Sequence, residues 1–149
     1  MIDKTRVDDA VACFNEKFNC SQSILSTYCT EFGLDRQTAL RLACGFGAGM
    51  GRLQETCGAV TGAYLLLGLI HGNTSSEDES AKEKTYALIR EFSARFTEIN
   101  KTTNCRELLG VDLINGNKQE ASMKVRTTCP KMVRDAATII EDMLFSSNA

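Results

Sequence analysis

The chain has 149 residues, 43% hydrophobic and 24% charged, enough to bury one core in an ordinary soluble domain. A net charge of −2 without any Lys/Arg cluster argues against a nucleic-acid partner, and the longest apolar run, Ala63 to Ile70, is too short for membrane insertion. The opening stretch MIDKTRVDDA carries acids and no apolar centre, so no secretory signal is read there and a cytoplasmic location is expected.

Taken in chain order, the sequence predicts a single all-α domain over residues 1–149, a bundle of about five main helices with a Gly-rich loop before the central one. A first helix is expected from about Asp3 to Phe18, with Val7, Ala10, Val11, Phe14 and Phe18 on one apolar face. Asn19-Cys20-Ser21-Gln22 reads as a capping box that restarts the chain. A second helix then runs from Cys20 to about Phe32, with Ile24, Leu25 and Tyr28 inward and Gly33 as its left-handed stop. Asp35 caps a third helix through about Cys44, burying Ala39, Leu40 and Ala43.

Gly45-Phe46-Gly47-Ala48-Gly49-Met50-Gly51 has glycine at every second position and cannot hold a helix, since each costs about 1 kcal/mol there. A fourth helix is expected from Cys57 to about His71, with Gly58 and Gly62 opening a groove that a helix backbone or a cofactor could enter. After a polar loop, a fifth helix spans about Asp78 to Asn100, with Ala81, Tyr86, Ile89, Phe92, Phe96 and Ile99 inward. Asn104-Cys105-Arg106-Glu107 is a second capping box, opening a short helix with Leu108 and Leu109. Val111 to Thr128 carries little pattern beyond a turn or two near Lys118 to Met123. The last helix is expected from about Pro130 to Phe145, with Met132, Val133, Ala136, Ala137, Ile140, Met143 and Leu144 on its buried face.

Seven cysteines dominate the chemistry. An odd number in a reducing compartment points away from a disulfide scaffold and toward metal binding or redox work. Cys20, Cys57, Cys105 and Cys129 each follow a helix N-cap signal, where unpaired backbone N–H groups and the positive end of the helix dipole favour the thiolate. Cys13, Cys29 and Cys44 are read as small buried fillers. Within the four, Cys57 is the expected primary nucleophile or ligand, for its glycine surroundings and the absence of an acid in its helix. No pair forms Cys-x-x-Cys, so spacing alone does not choose between a dithiol and a metal site. Gathered at one end of a bundle, Cys20, Cys57, Cys105 and Cys129 could bind zinc or an iron–sulfur cluster, or act as reversible disulfide pairs without any cofactor. The lone His71 suits the last turn of its helix and, being single, makes a hydrolase triad a poor fit.

The run Gly45 to Arg52, continued by Glu55-Thr56-Cys57-Gly58-Ala59-Val60-Thr61-Gly62, resembles the core of the C-GCAxxG-C-C family of redox-active proteins. Asn19-Cys20-Ser21-Gln22 is similar to its upstream cysteine, and Cys105-Arg106-Glu107-Leu108 and Cys129-Pro130 to its two downstream ones. The resemblance covers roughly Phe14 to Met143. It implies redox roles for Cys20, Cys57, Cys105 and Cys129 and leaves the reaction unassigned. The expected function is a small cytoplasmic redox protein with an unnamed redox partner, an oxidoreductase if it turns over. The alternatives are a Cys-ligated metal or iron–sulfur protein without turnover, and a non-catalytic helical interaction module. The glycine-lined helix and apolar last helix are compatible with a homodimer.

Overall fold

The computed structural model describes residues 4–145, so the expected helix start at Asp3 lies outside the described residues. Seven α-helices and two 3-10 turns make up the described chain, and no strand is present in it. Helix α1 (Val7–Asn15) is followed by α2 (Cys20–Tyr28), a 3-10 turn (Cys29–Phe32), α3 (Arg36–Cys44) and a second turn (Gly47–Gly49). Then come α4 (Gly58–His71), α5 (Glu79–Asn100), α6 (Cys105–Leu109) and α7 (Lys118–Phe145).

Helix α2 is the hub, packing on α1, α3, α4 and α7, while α4 also meets α5 and α7. Nearly all of α2 is buried, including Ser21, Ser23, Ser26 and Thr27. Two of these side chains return their hydrogen bonds to their own helix, the Ser23 hydroxyl donating to the Asn19 carbonyl at 2.8 Å and Thr27 to that of Ser23 at 2.7 Å, while Ser26 meets the Cys13 thiol of α1 at 3.6 Å. Close approach of α4 depends on Gly62, where a Cβ would lie 2.8 Å from the Ser21 carbonyl oxygen and 3.0 Å from Ile24 Cβ. The groove expected beside Gly62 is therefore filled by α2, not by a cofactor. Ile24, Leu25, Val60, Leu66, Leu67, Phe92, Phe96, Val133 and Ile140 form the centre of the core.

Several boundaries differ from the sequence reading. Helix α1 stops at Asn15, and the turn after it puts Lys17 at φ 80°. On α5, Phe92 and Phe96 are buried, but Tyr86 and Ile99 are 52% and 51% exposed. Tyr86 lies about 120° around the helix from Phe92, and Ile99 sits in the last turn. The largest difference is α7, which begins at Lys118 and carries Pro130 in its interior. Its cap is Asn117, whose side chain accepts from the Glu120 amide at 3.0 Å. Pro130 lacks the N–H that would bond the Arg126 carbonyl, the helical partner four residues back. Cys129 is thus mid-helix, not at a helix start.

The two glycines of α4 should respond oppositely to the same change. Gly62→Ala is expected to cost about 1–3 kcal/mol through overpacking against α2. Gly68→Ala, where a Cβ meets nothing within 4 Å, should stabilise by roughly 0.5–1 kcal/mol through helix propensity. Urea denaturation of both variants checks the pair.

Candidate redox site

The site begins with the cap of α2. Asn19 accepts from the Gln22 amide at 2.9 Å, and Gln22 accepts from the Asn19 amide at 3.0 Å. The same two side chains also donate to the Cys44 carbonyl at 2.9 Å and the Leu40 carbonyl at 3.0 Å, tying this helix start to α3. Cys20 is the first residue of α2, with its own amide and that of Ser21 directed at its sulfur. A third amide comes from Ala48 in the glycine loop.

That loop is held in an unusual course. Ala48, Gly49, Gly51, Arg52 and Gln54 all have positive φ, from 57° to 69°. For the three non-glycine residues this costs about 1–2 kcal/mol each, so the surroundings must impose it. Gly49 has no room for a Cβ, which would lie 2.5 Å from Cys105 Cβ, and a Cβ on Gly47 would overlap the Asn19 side chain. The buried Gln54 pins the loop from the far side: its amide nitrogen donates to the Val111 carbonyl and its oxygen accepts from the Leu113 amide, both at 2.8 Å. Just after it, the chain clips onto the approach to α6. The Cys57 amide donates to the Thr103 carbonyl at 2.7 Å, and the Cys105 amide to that of Glu55 at 2.5 Å, around the bridge between Thr56 and Asn104. This clip fixes Cys57, which caps α4, beside Cys105, which opens α6.

Cys20, Cys57 and Cys105 share one cavity of about 550 Å³, and Cys129 lines it from α7. Phe14, Phe18, Leu108, Leu113 and Met132 supply apolar wall, and Lys17 and Arg126 also line it. Gly58 belongs to the lining as well; a Cβ there would lie 2.6 Å from the Cys20 sulfur, so glycine is what lets α4 accept that sulfur beside Cys57. All seven cysteines are free thiols.

The four thiols do not share one character. Hydrogen bonding from the Cys57 thiol, aided by the amides of Ala48, Cys20 and Ser21 and opposed by burial, lowers Cys20 from its ordinary 9.0 to about 7. The reciprocal holds at Cys57: donation to Cys20, then burial, then the Cys20 charge keep its proton on well above the ordinary range. Burial, followed by the Cys20 charge, pushes Cys105 up to about 11. Burial, then the charges of Cys20 and Cys105, push Cys129 up as well. The helix-start argument for a thiolate therefore holds at Cys20 and is overridden at Cys57 by donation to Cys20 and then burial, and at Cys105 by burial. At Cys129 it does not apply, because α7 began three turns earlier.

Of the other cysteines, Cys13 and Cys29 are buried as expected, whereas Cys44 is exposed. His71 ends α4, away from this cavity, with burial and then Lys84 lowering its pKa. Among the described residues no three His, Cys, Asp or Glu side chains are placed to hold one metal ion, so the four-thiolate zinc or iron–sulfur ligand set expected of Cys20, Cys57, Cys105 and Cys129 is not found.

A family model described as "Putative redox-active protein (C_GCAxxG_C_C)" matches residues 18–143. The chain belongs to this family. The match runs from just before Cys20 to beyond Cys129 and so contains every thiol of the cavity. No curated protein and no solved structure matches the chain. No helix of the described chain is long and apolar enough to cross a membrane. For a C_GCAxxG_C_C protein, the residues that sequence reasoning passed over are Ala48, whose amide faces Cys20, and Gln54, which pins the loop. Only Gln54 left a trace, as an amide side chain following a glycine run; Ala48 acts through its backbone and leaves none.

Two measurements follow from the uneven thiols. Cys57→Ala removes the donor, and the pH dependence of Cys20 alkylation should move from about 7 back up toward the ordinary thiol range. The unfolding free energy should rise from pH 7 to 9, where an unfolded Cys20 still holds the proton that the native one has lost. It should fall more steeply from 9 to 11, where unfolded Cys57, Cys105 and Cys129 ionise and their native counterparts do not. The rising limb is on the order of 2 kcal/mol, set by Cys20 alone, and the falling limb is larger because three thiols contribute; both are read by urea titration across the pH series under reducing conditions.

Proposed function

We propose that the protein carries out thiol–disulfide exchange with Cys20 as attacking thiolate and Cys57 as resolving thiol, exchanging the primary role that the sequence suggested for Cys57. The observation that carries the reading is the seating of the Cys20 sulfur against Gly58, next to Cys57 and within reach of three backbone amides. The Cys20 thiolate attacks one sulfur of a substrate disulfide, forming a mixed disulfide and releasing the first substrate thiolate. Cys57 then gives its proton to a released substrate thiolate and attacks the Cys20 sulfur, forming the Cys20–Cys57 disulfide and releasing the second. Two protein thiols are oxidised and one disulfide is reduced to two thiols, with charge and protons conserved.

The order of events is built into the pair. The largest causes that hold the proton on Cys57, besides burial, are its bond to Cys20 and the Cys20 charge. Both vanish once Cys20 is in a mixed disulfide, so the resolving thiol is freed when it is needed. Cys105 and Cys129 keep their protons at neutral pH and stay out of the first exchange. A reducing compartment suits a protein with seven free thiols.

Stoichiometric oxidation of the reduced protein with a small disulfide, followed by peptide mapping, should yield a Cys20–Cys57 linkage. Cys57→Ser should trap the mixed disulfide on Cys20. Mixed disulfide on Cys57, Cys105 or Cys129 ahead of Cys20 would overturn the assignment. The rate gain from tuning Cys20 is modest. Near pH 7 about fifty times more thiolate is offset by lower nucleophilicity, leaving about sixfold over an ordinary thiol. The first exchange step of Cys57→Ala should be slower by that factor.

A further inference from the structure

The thiol cavity has a one-signed electrostatic frame. Lys17 and Arg126 line it, and no carboxylate does. A depression of about 610 Å³ adjoins it, sharing Leu113, Val125 and Arg126, and adds Arg52 and Lys118, again with no carboxylate. Among the described residues, none of these four cations takes part in an ion pair, whereas six of the other thirteen Lys and Arg residues do. Four unpartnered cations on one face run against the net charge of −2.

The reacting sulfurs are deep. Cys20 and Cys57 are 6% and 5% exposed, at the base of a cavity whose volume suits a small ligand. A disulfide on the surface of a folded protein cannot reach that base without a protruding segment. The walls are largely apolar, through Phe14, Leu108 and Met132.

Resting on the exchange reading above, we infer that the disulfide reduced at Cys20 is a small organic molecule with an apolar body and a negative group. The body fills the cavity, and Arg126 and Lys17 take the anion, with Arg52 and Lys118 extending the favourable field beyond the mouth. The cations also offset the repulsion that a thiolate exerts on an incoming anion. The exchange step is the one balanced above.

The test uses the full reduced chain and three disulfides: dithiobis(nitrobenzoate), aromatic and anionic; dithiodipyridine, aromatic and neutral; and cystamine, cationic. Each rate of mixed-disulfide formation at Cys20 is divided by the reagent's rate with mercaptoethanol, after subtracting the background of Cys20→Ser, which retains the exposed Cys44. The anionic reagent should be favoured over the neutral one by about tenfold, the low end of electrostatic steering, and over cystamine by more. The preference should shrink several-fold in Lys17→Gln/Arg126→Gln and, in the unaltered protein, as salt is raised. Equal normalised rates, or a preference indifferent to both changes, would overturn the inference while leaving the exchange reading standing. Failure of all three reagents to give a Cys20–Cys57 linkage would overturn both.

Discussion

A buried cavity of this size stabilises one negative charge, and the rest of the site is arranged around that limit. Four thiols meet in one apolar enclosure, yet the strongest donation converges on Cys20, from the Cys57 thiol and the amides of Ala48, Cys20 and Ser21. Once that sulfur is charged, its field raises the cost of ionising each of the others, on top of burial. The cluster is therefore a hierarchy, and helix N-termini by themselves do not create it. Cys57 and Cys105 also sit at helix starts, and there the bond to Cys20, for Cys57, and desolvation, for Cys105, win over the dipole.

The glycine pattern serves this arrangement in two ways. Gly58 and Gly62 let α4 lie against α2 closely enough for the Cys20 sulfur to reach the Cys57 end of α4. Gly47 and Gly49 let the loop pass over Asn19 and Cys105, so that the Ala48 amide faces the same sulfur. Strain in the loop, with Ala48, Arg52 and Gln54 in the left-handed region, is offset by the hydrogen bonds of Gln54 and by the clip from Glu55 to Cys105.

Much of this was legible in the chain. The cap signals at Asn19 and Asn104 gave the correct starts of α2 and α6, because a side chain reaching its own backbone is a local event, although only Asn19 forms the full box; the Asn104 amide donates to the Thr102 hydroxyl, which in turn donates to Glu107. The stop at Gly33 was equally local. What could not be read was long-range. The centrality of α2 was hidden by its serines and threonines, which look exposed in sequence, whereas Ser23 and Thr27 bond back to their own helix and Ser26 meets Cys13 of α1. The start of α7 was misplaced by Pro130, which suggested a helix start, although Asn117-Lys118-Gln119-Glu120 has the same spacing as the two boxes that were recognised. The roles of Cys20 and Cys57 depended on which sulfur the Ala48 amide would meet, and that is set by a fold-level crossing of loop and helix.

Gln54 joins three stretches that are distant in sequence: the loop, the segment at Val111 to Leu113, and, through its backbone carbonyl, the Arg106 amide. These stretches are short and irregular, and they rest on α2, α4 and α7 from outside while Gln54 ties them to one another. Short stretches tied together in this way are the kind of unit that opens locally ahead of a packed helical core. When that unit comes undone, Cys57 and Cys105 lose their alignment together, and the cover over Cys20 is lost with them. Accessibility of the sulfurs to larger molecules is then governed by the breathing of a single glutamine-pinned clasp, with global unfolding not required.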